Sequence, residues 1–294
     1  MSGSNDRKLS MESLEDRALM AASVSAGVLT ITGTNGNDVV QVLENHETNS
    51  VTIIDNGQVT NLSSGAFNEM RVHLNAGNNS FTYRVVGSEF DRDRDFDIWS
   101  SDGFDYITLD FRGDNYMNTA IEADVNISIN TGSLSDQVAV YLPEIDDADV
   151  NITANLGSGN DGMSVIQVGD MVDDANLTAN LYGSSGNDNL YYLANYDVDL
   201  DSDADLNVNM YGNSGDDSLL FYYRGELDGE LRLNQFGQRD EDYLYSNVTL
   251  DAGSNGDDWL MQNGGDGVDQ VFNYRYDNSS LYSLIRLPSR LSWR

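Results

Sequence analysis

The sequence predicts an all-β chain, a right-handed parallel β-solenoid with about 25–29 residues per coil. Three observations carry the prediction. A glycine-rich turn ending in aspartate recurs, a second acidic motif recurs at the same spacing, and apolar residues between them alternate with polar ones.

The turn is clearest at Gly183-Ser-Ser-Gly-Asn-Asp188. Close copies end at Asp38, Asp161, Asp217, Asp258 and Asp269, and weaker copies centre on Asn79, Asp105, Asp136 and Asp242. From Asp105 through Asp136, Asp161, Asp188 and Asp217 to Asp242 the steps are 31, 25, 27, 29 and 25 residues. The second motif is Glu122-Ala-Asp-Val, repeated from Asp147, Asp174, Asp203 and Asp228 at steps of 25, 27, 29 and 25. Two signals sharing one period define a structural repeat.

Between the motifs Val125, Ile127 and Ile129 alternate with polar residues, as do Leu206, Val208 and Met210. Such alternation reads as half-buried strands. A unit of this length cannot bury its own apolar face and does so by stacking on its neighbours. An antiparallel β-sandwich is the alternative, but its hairpins have less reason to keep one repeat length. The right hand follows from the general chirality of parallel crossovers.

Residues 1–26 read as a leader, with Arg7, Lys8 and Arg17 ahead of the short apolar stretch at 18–24. Residues 27–280 read as the solenoid, irregular up to about residue 120. There Asp55-Asn-Gly-Gln58 marks a tight turn and Asp91-Arg-Asp-Arg-Asp-Phe-Asp97 a solvated loop. The two turns ending at Asp258 and Asp269 suggest that the last coil is shortened. Residues 281–294 form a basic tail or cap, with Arg286, Arg290 and Arg294 and no acid.

With 49 acidic and 15 basic residues the net charge is −34. Such a surface repels nucleic acid and anionic membranes and attracts divalent cations. The absence of cysteine excludes disulfides, thiolate catalysis and cysteine-ligated zinc. No apolar run is long enough for a membrane-spanning helix.

The segment Ser10-Met-Glu-Ser-Leu-Glu-Asp-Arg-Ala-Leu-Met-Ala-Ala22 resembles the leader of exported proteins of planctomycete bacteria. Gly264-Gly-Asp-Gly-Val-Asp-Gln-Val271 resembles the hemolysin-type (RTX) calcium-binding repeat, and the copies ending at Asp38, Asp188, Asp217 and Asp258 resemble it in all but the second glycine. The resemblance covers about a quarter of the chain. It implies a secreted or cell-envelope location and calcium held at Asp38, Asp161, Asp188, Asp217, Asp258, Asp266 and Asp269. The departure is the spacing. The family repeats its motif every nine residues, whereas this chain has one motif per coil.

Stacked coils would place Asp161, Asp188 and Asp217 in a column, one strand spacing of about 4.8 Å apart. Two such carboxylates repel by about 1 kcal/mol in water and about 3.5 kcal/mol at an effective dielectric near 20. Outward splay, raised pKa values or bound cations would relieve this. Alternatively, each aspartate bonds its own turn amides.

If residues two and four beyond each aspartate face inward, those three and five beyond face out. That outward set includes Tyr141, Tyr191, Tyr222 and Tyr245, a candidate face for carbohydrate rings or another surface protein. No nucleophile elbow, phosphate loop or zinc cluster is present, and His46 and His73 read as ordinary surface or strand residues. The functional expectation is an extracellular or cell-surface structural, adhesion or binding module. The alternatives are a β-helix polysaccharide lyase or glycoside hydrolase, or a fragment of a larger surface protein.

Overall fold

The computed structural model describes residues 21–114, 119–194 and 197–277. They form a parallel β-solenoid of about seven coils. Each regular coil lays one strand on sheet A, turns at the glycine–aspartate corner, lays a second on sheet B, and crosses a short third face.

Sheet A runs in the order Ala21–Ser25, Val28–Thr32, Glu69–Asn75, Arg94–Ser100, Val125–Asn130, Asp149–Asn155, Asn176–Ser185, Asp205–Ser214, Glu230–Arg239, Asp257–Asp266. Sheet B carries Val39–Asn45, Ser80–Val85, Tyr106–Asp110, Gln137–Leu142, Gly162–Gln167, Asn189–Ala194, Ser218–Gly225, Tyr243–Leu250 and Gln270–Asp277. Sheet C has four short strands, Glu89–Phe90, Ala120–Ile121, Glu144–Asp146 and Met171–Val172. Isolated bridges from Met171 to Leu200 and from Leu200 to Leu227 extend this third face.

The predicted alternation places the core. Phe81, Ile107, Val138, Met163, Leu190, Leu219 and Leu244 are register partners in one inward row and are buried. Burying each such side chain contributes roughly 1.5–3 kcal/mol. The second acidic motif is also in register, because Val125 pairs with Val150, Leu177, Leu206 and Leu231 in turn. Its alanines, Ala148, Ala175 and Ala204, are buried. Its leading acids Asp147, Asp174 and Asp203 are exposed to solvent, which screens their repulsion.

The two ends are finished differently. At the N-terminal end the chain doubles back. Ala21–Ser25, assigned to the leader from sequence, pairs antiparallel with Val28–Thr32. Val39–Asn45, Ser50–Asp55 and Gln58–Leu62 form an antiparallel meander through the expected turn at Asn56-Gly57, where φ is 43° and 85°.

At the C-terminal end the inward positions turn polar. Where the preceding coil buries Leu231, Gln235, Ser246 and Val248, the last described coil has Asp258, Gln262, Asn273 and Arg275. Arg275 Nε donates to Asp258 Oδ2 at 2.9 Å, joining the two edge strands across the coil interior. Inward charge at an exposed edge discourages further strand pairing. The last coil is not shortened: Asp242 to Asp269 is 27 residues. The rest of the leader and the basic tail at 281–294 lie outside the described residues.

Candidate functional site

Two features stand out at the predicted site positions: the corner beneath the glycine–aspartate motifs, and the outer face of sheet B.

At the corner the chain turns away from the strand direction, so its amides lose their ladder carbonyls. Side chains from neighbouring coils replace them. The aspartates reach back one coil. Oδ1 of Asp105, Asp136, Asp161, Asp188, Asp217 and Asp242 accepts the backbone N–H of the corresponding residue one coil earlier, at 2.7–2.9 Å. Asp269 continues the series to Asp242 at 3.1 Å, and Asn79 starts it on Asp38 at 3.0 Å.

The residue just before each aspartate reaches forward. Asn160 Oδ1 accepts the N–H of Asn187, Asn187 Oδ1 that of Asp216, and Asp216 Oδ1 that of Glu241, at 2.9–3.1 Å. The Gly-Asn-Asp string is thus a pair of antiparallel side-chain ladders, the aspartates buried and the other row exposed.

The glycines follow from this arrangement. Gly186 has a φ of 123°, and a Cβ on it would strike the carbonyl oxygen of Gly159 in the coil below. Gly183, Gly212, Gly237 and Gly264 each stand five residues before an aspartate, where a Cβ would collide with that aspartate's Oδ2.

The carboxyls are 0–2% exposed, and the Oδ2 atoms of Asp105, Asp136, Asp161, Asp188, Asp217 and Asp242 have no protein donor. Burial, partly offset by the amide bond, pushes Asp136 and Asp217 up to about 7 and Asp161, Asp188 and Asp242 up to about 6. Asp105 is also raised by burial. Raised pKa values, one of the reliefs the sequence left open, follow from this burial. The expected bond to the aspartate's own turn is found at Asp38, whereas from Asp105 to Asp242 bonds between coils take its place.

The other predicted metal ligands are scattered. Asp38 accepts the Thr34 N–H of its own turn at 2.7 Å on Oδ2, and Asn56 Nδ2 from the neighbouring hairpin turn at 3.1 Å on Oδ1. Asp258 is not a corner residue. It lies in sheet A opposite Leu231 and is paired with Arg275. Asp266 is exposed at the end of the last sheet A strand. Among the described residues no three His, Cys, Asp or Glu side chains converge as a metal would require. The corner Oδ1 atoms are spent on amides, Oδ2 of Asp188, Asp217 and Asp269 is packed against glycine, and Asp258 is taken by Arg275, so the corner does not fit the ion that the repeat resemblance implies.

The outer face of sheet B carries an aromatic platform. Tyr222 lies 5.1 Å from Tyr245, and Tyr245 lies 5.7 Å from Tyr274, between ring centroids. Tyr243 and Tyr245 are nearly parallel at 6.3 Å, as are Phe272 and Tyr274 at 6.5 Å, and Tyr274 and Tyr276 at 6.5 Å. Tyr191 and Leu220 continue the row of Tyr245 toward the N-terminal end. Tyr141 does not join the platform, because Ile166 and Leu193 intervene in its row and Arg112 lies 4.0 Å over its ring. Tyr243, Phe272, Tyr274 and Tyr276 were missed from sequence, although their period-two spacing was the available signal.

No protein family, no curated protein and no solved structure matched the chain. Its chemistry is therefore read from its own surfaces.

Two further clusters were not foreseen. Glu44 is buried and accepts from Tyr83 Oη at 2.7 Å, from Arg94 and from Ser64, with His46 Nε2 3.1 Å away. Burial works to raise its pKa, but His46 and Arg94 outweigh that and bring it down to about 2. The segment 91–97 is therefore not only a solvated loop: Arg94 is buried and begins a sheet A strand, and His46 is a core residue. The second cluster is a shallow recess on the outer face of sheet A, lined by Glu69, Asp95, Asp97, Asn126 and Asn151. His73 lies tilted against Trp99, 4.6 Å between ring centroids, on the same face.

Proposed function

We propose that this chain is an extracellular or cell-surface binding module, a rigid solenoid that presents the sheet B platform to neutral polysaccharide. The platform is the observation that carries the reading. Six rings, Tyr222, Tyr243, Tyr245, Phe272, Tyr274 and Tyr276, are joined by contacts of 5.1–6.5 Å across three successive strands. Tyr222, Tyr243 and Tyr245 sit on strands whose inner faces are buried in the core, and Phe272, Tyr274 and Tyr276 on the neighbouring strand held in register with them, so ordering the rings costs little on binding. A pyranose ring offers a flat apolar face to such a surface. The net charge of −34 disfavours polyanionic glycans, which supports a neutral one. The leader resemblance supports export.

Affinity electrophoresis through gels containing neutral or anionic polysaccharides tests this. Retardation by a neutral polymer is expected, with loss of most of it in Tyr222→Ala/Tyr245→Ala/Tyr274→Ala. Equal mobility in every gel, or a triple variant retarded like the parent, would sink the reading. Self-association of the parent abolished in the triple variant would instead make the platform a contact between copies.

The enzyme reading has one place to stand. Glu69, Asp95 and Asp97 share the sheet A recess. Arg71 Nε donates to Glu69 at 2.5 Å and Asn126 Nδ2 to Asp95 at 2.9 Å, so two of the three acids are already engaged. The aromatic platform lies on the other sheet. The binding reading is therefore preferred.

A further inference from the structure

We propose that the corner column is a proton store tying the stability of the solenoid to pH: its carboxyl groups are neutral acids while the coils are stacked, and losing those protons loosens the corner.

The geometry comes first. Each Oδ1 is committed to an amide one coil away, and each Oδ2 from Asp105 to Asp242 is buried without a protein donor. An ionised oxygen in that place is a desolvated charge with nothing to balance it. A protonated one is a small polar group.

Asn79 shows what a neutral member does. It keeps the acceptor role toward Asp38, and its Nδ2 donates to the Gly77 carbonyl at 3.0 Å. An amide thus serves in the column without a negative charge.

The surroundings supply hydrogen bonds but no positive charge. The ionisable neighbours acting on these groups are Asp105, Asp161, Asp188, Asp216, Asp240, Asp242 and Asp269, and none of them is a cation. Ser100 beside Asp105 and Thr131 beside Asp136 are neutral hydroxyls whose hydrogen bonds pull those two carboxyls down without outweighing burial. Burial and these neighbours set the raised values of about 6 to 7.

The direction is opposite to that of an ion-paired carboxylate. Between the unfolded value near 4 and the folded values, the folded chain binds more protons than the unfolded chain. The stability these groups contribute is fully present below about 4 and is lost as pH rises through about 6 to 7.

The test is thermal unfolding of the full chain from pH 5.5 to 8 at fixed, moderate salt, beside Asp161→Asn/Asp188→Asn/Asp217→Asn. The parent midpoint is expected to fall by roughly 5 °C or more over that range. The triple variant is expected to match the parent at pH 5.5 and to lose much less by pH 8. Comparing the two removes every other titrating group. A parent midpoint that stays level or rises, or a variant that falls as steeply, overturns the proposal.

Should the variant not fold, the infrared carbonyl band of protonated carboxylic acid is read on the parent at pH 6. A band in the folded chain that vanishes on unfolding supports the column. Its absence from the folded chain overturns it.

Discussion

Replacing Asp188 by alanine should damage the solenoid far more than replacing its neighbour Asn187, although each side chain holds one amide of an adjacent coil. Asp188 holds the N–H of Asp161 at 2.8 Å, and both residues are buried. With the acceptor gone, that amide has no water to turn to. An orphaned buried donor costs about 1–3 kcal/mol. Asn187 holds the N–H of Asp216 at 3.1 Å, and both residues are exposed, so water takes over the bond. Its loss should stay within about 0.5 kcal/mol. For a chain of this size roughly 2–4 °C of midpoint accompanies each kcal/mol. Asp188→Ala should therefore lower the midpoint by about 2–12 °C and Asn187→Ala by no more than about 2 °C. Unfolding followed by circular dichroism at pH 5.5, below the column's values of about 6 to 7, reads the hydrogen bond with most of the charge removed. Amide exchange should also accelerate at Asp161 in the first variant and at Asp216 in the second. Equal midpoint losses, or a larger loss for Asn187→Ala, would refute the claim that the buried acceptor row holds the corner.

Two further outcomes follow from the same geometry. Glu44, held down to about 2 by His46 and Arg94 against burial, contributes stability that is fully present above its unfolded value near 4.5 and is lost as pH falls through about 2. Arg94→Ala strands that carboxylate and should cost about 3–5 kcal/mol at neutral pH, read as urea midpoint, and much less at pH 2; a loss independent of pH would refute the ion pair as its cause. Since the corner oxygens are engaged, millimolar calcium should raise the melting midpoint no more than magnesium at matched ionic strength. A calcium-specific rise of several degrees would show that the corner carboxylates hold the ion after all.

The period was legible because the corner tolerates few residues. A positive φ and a carbonyl one coil below restrict the Gly186 position, and a buried acceptor restricts Asp188. The direction of the bond was not legible, because it depends on which coil lies next to which. Local resemblance also misled. Gly253-Ser-Asn-Gly-Asp-Asp258 has the corner's composition, but it enters sheet A and sets Asp258 opposite Leu231. Its apolar residue two positions on, Leu260, matches the corner pattern, and only its spacing distinguishes it: Asp258 lies 16 residues after Asp242, whereas the corner step to Asp269 is 27. Arg94 and Glu44 are 50 residues apart and belong to no repeat, so nothing local announced the pair.

The platform was half legible for a related reason. Alternation says which residues face out of sheet B, and it placed Tyr191, Tyr222 and Tyr245 correctly. It does not say which outward side chains meet. That depends on register between coils of unequal length, here steps of 25 to 29 residues from Asp136 to Asp242. The third face and the corners absorb the differences, as the bridge from Met171 to Leu200 to Leu227 shows. The strands of sheet B therefore stay in register, with Tyr222 beside Asn247 and Tyr245 beside Phe272. The corner ladders and the flat aromatic face are thus two results of one constraint. Side chains that fix each corner amide to the next coil also fix where the following strand begins. A corner that loosens should spoil the platform before the core melts.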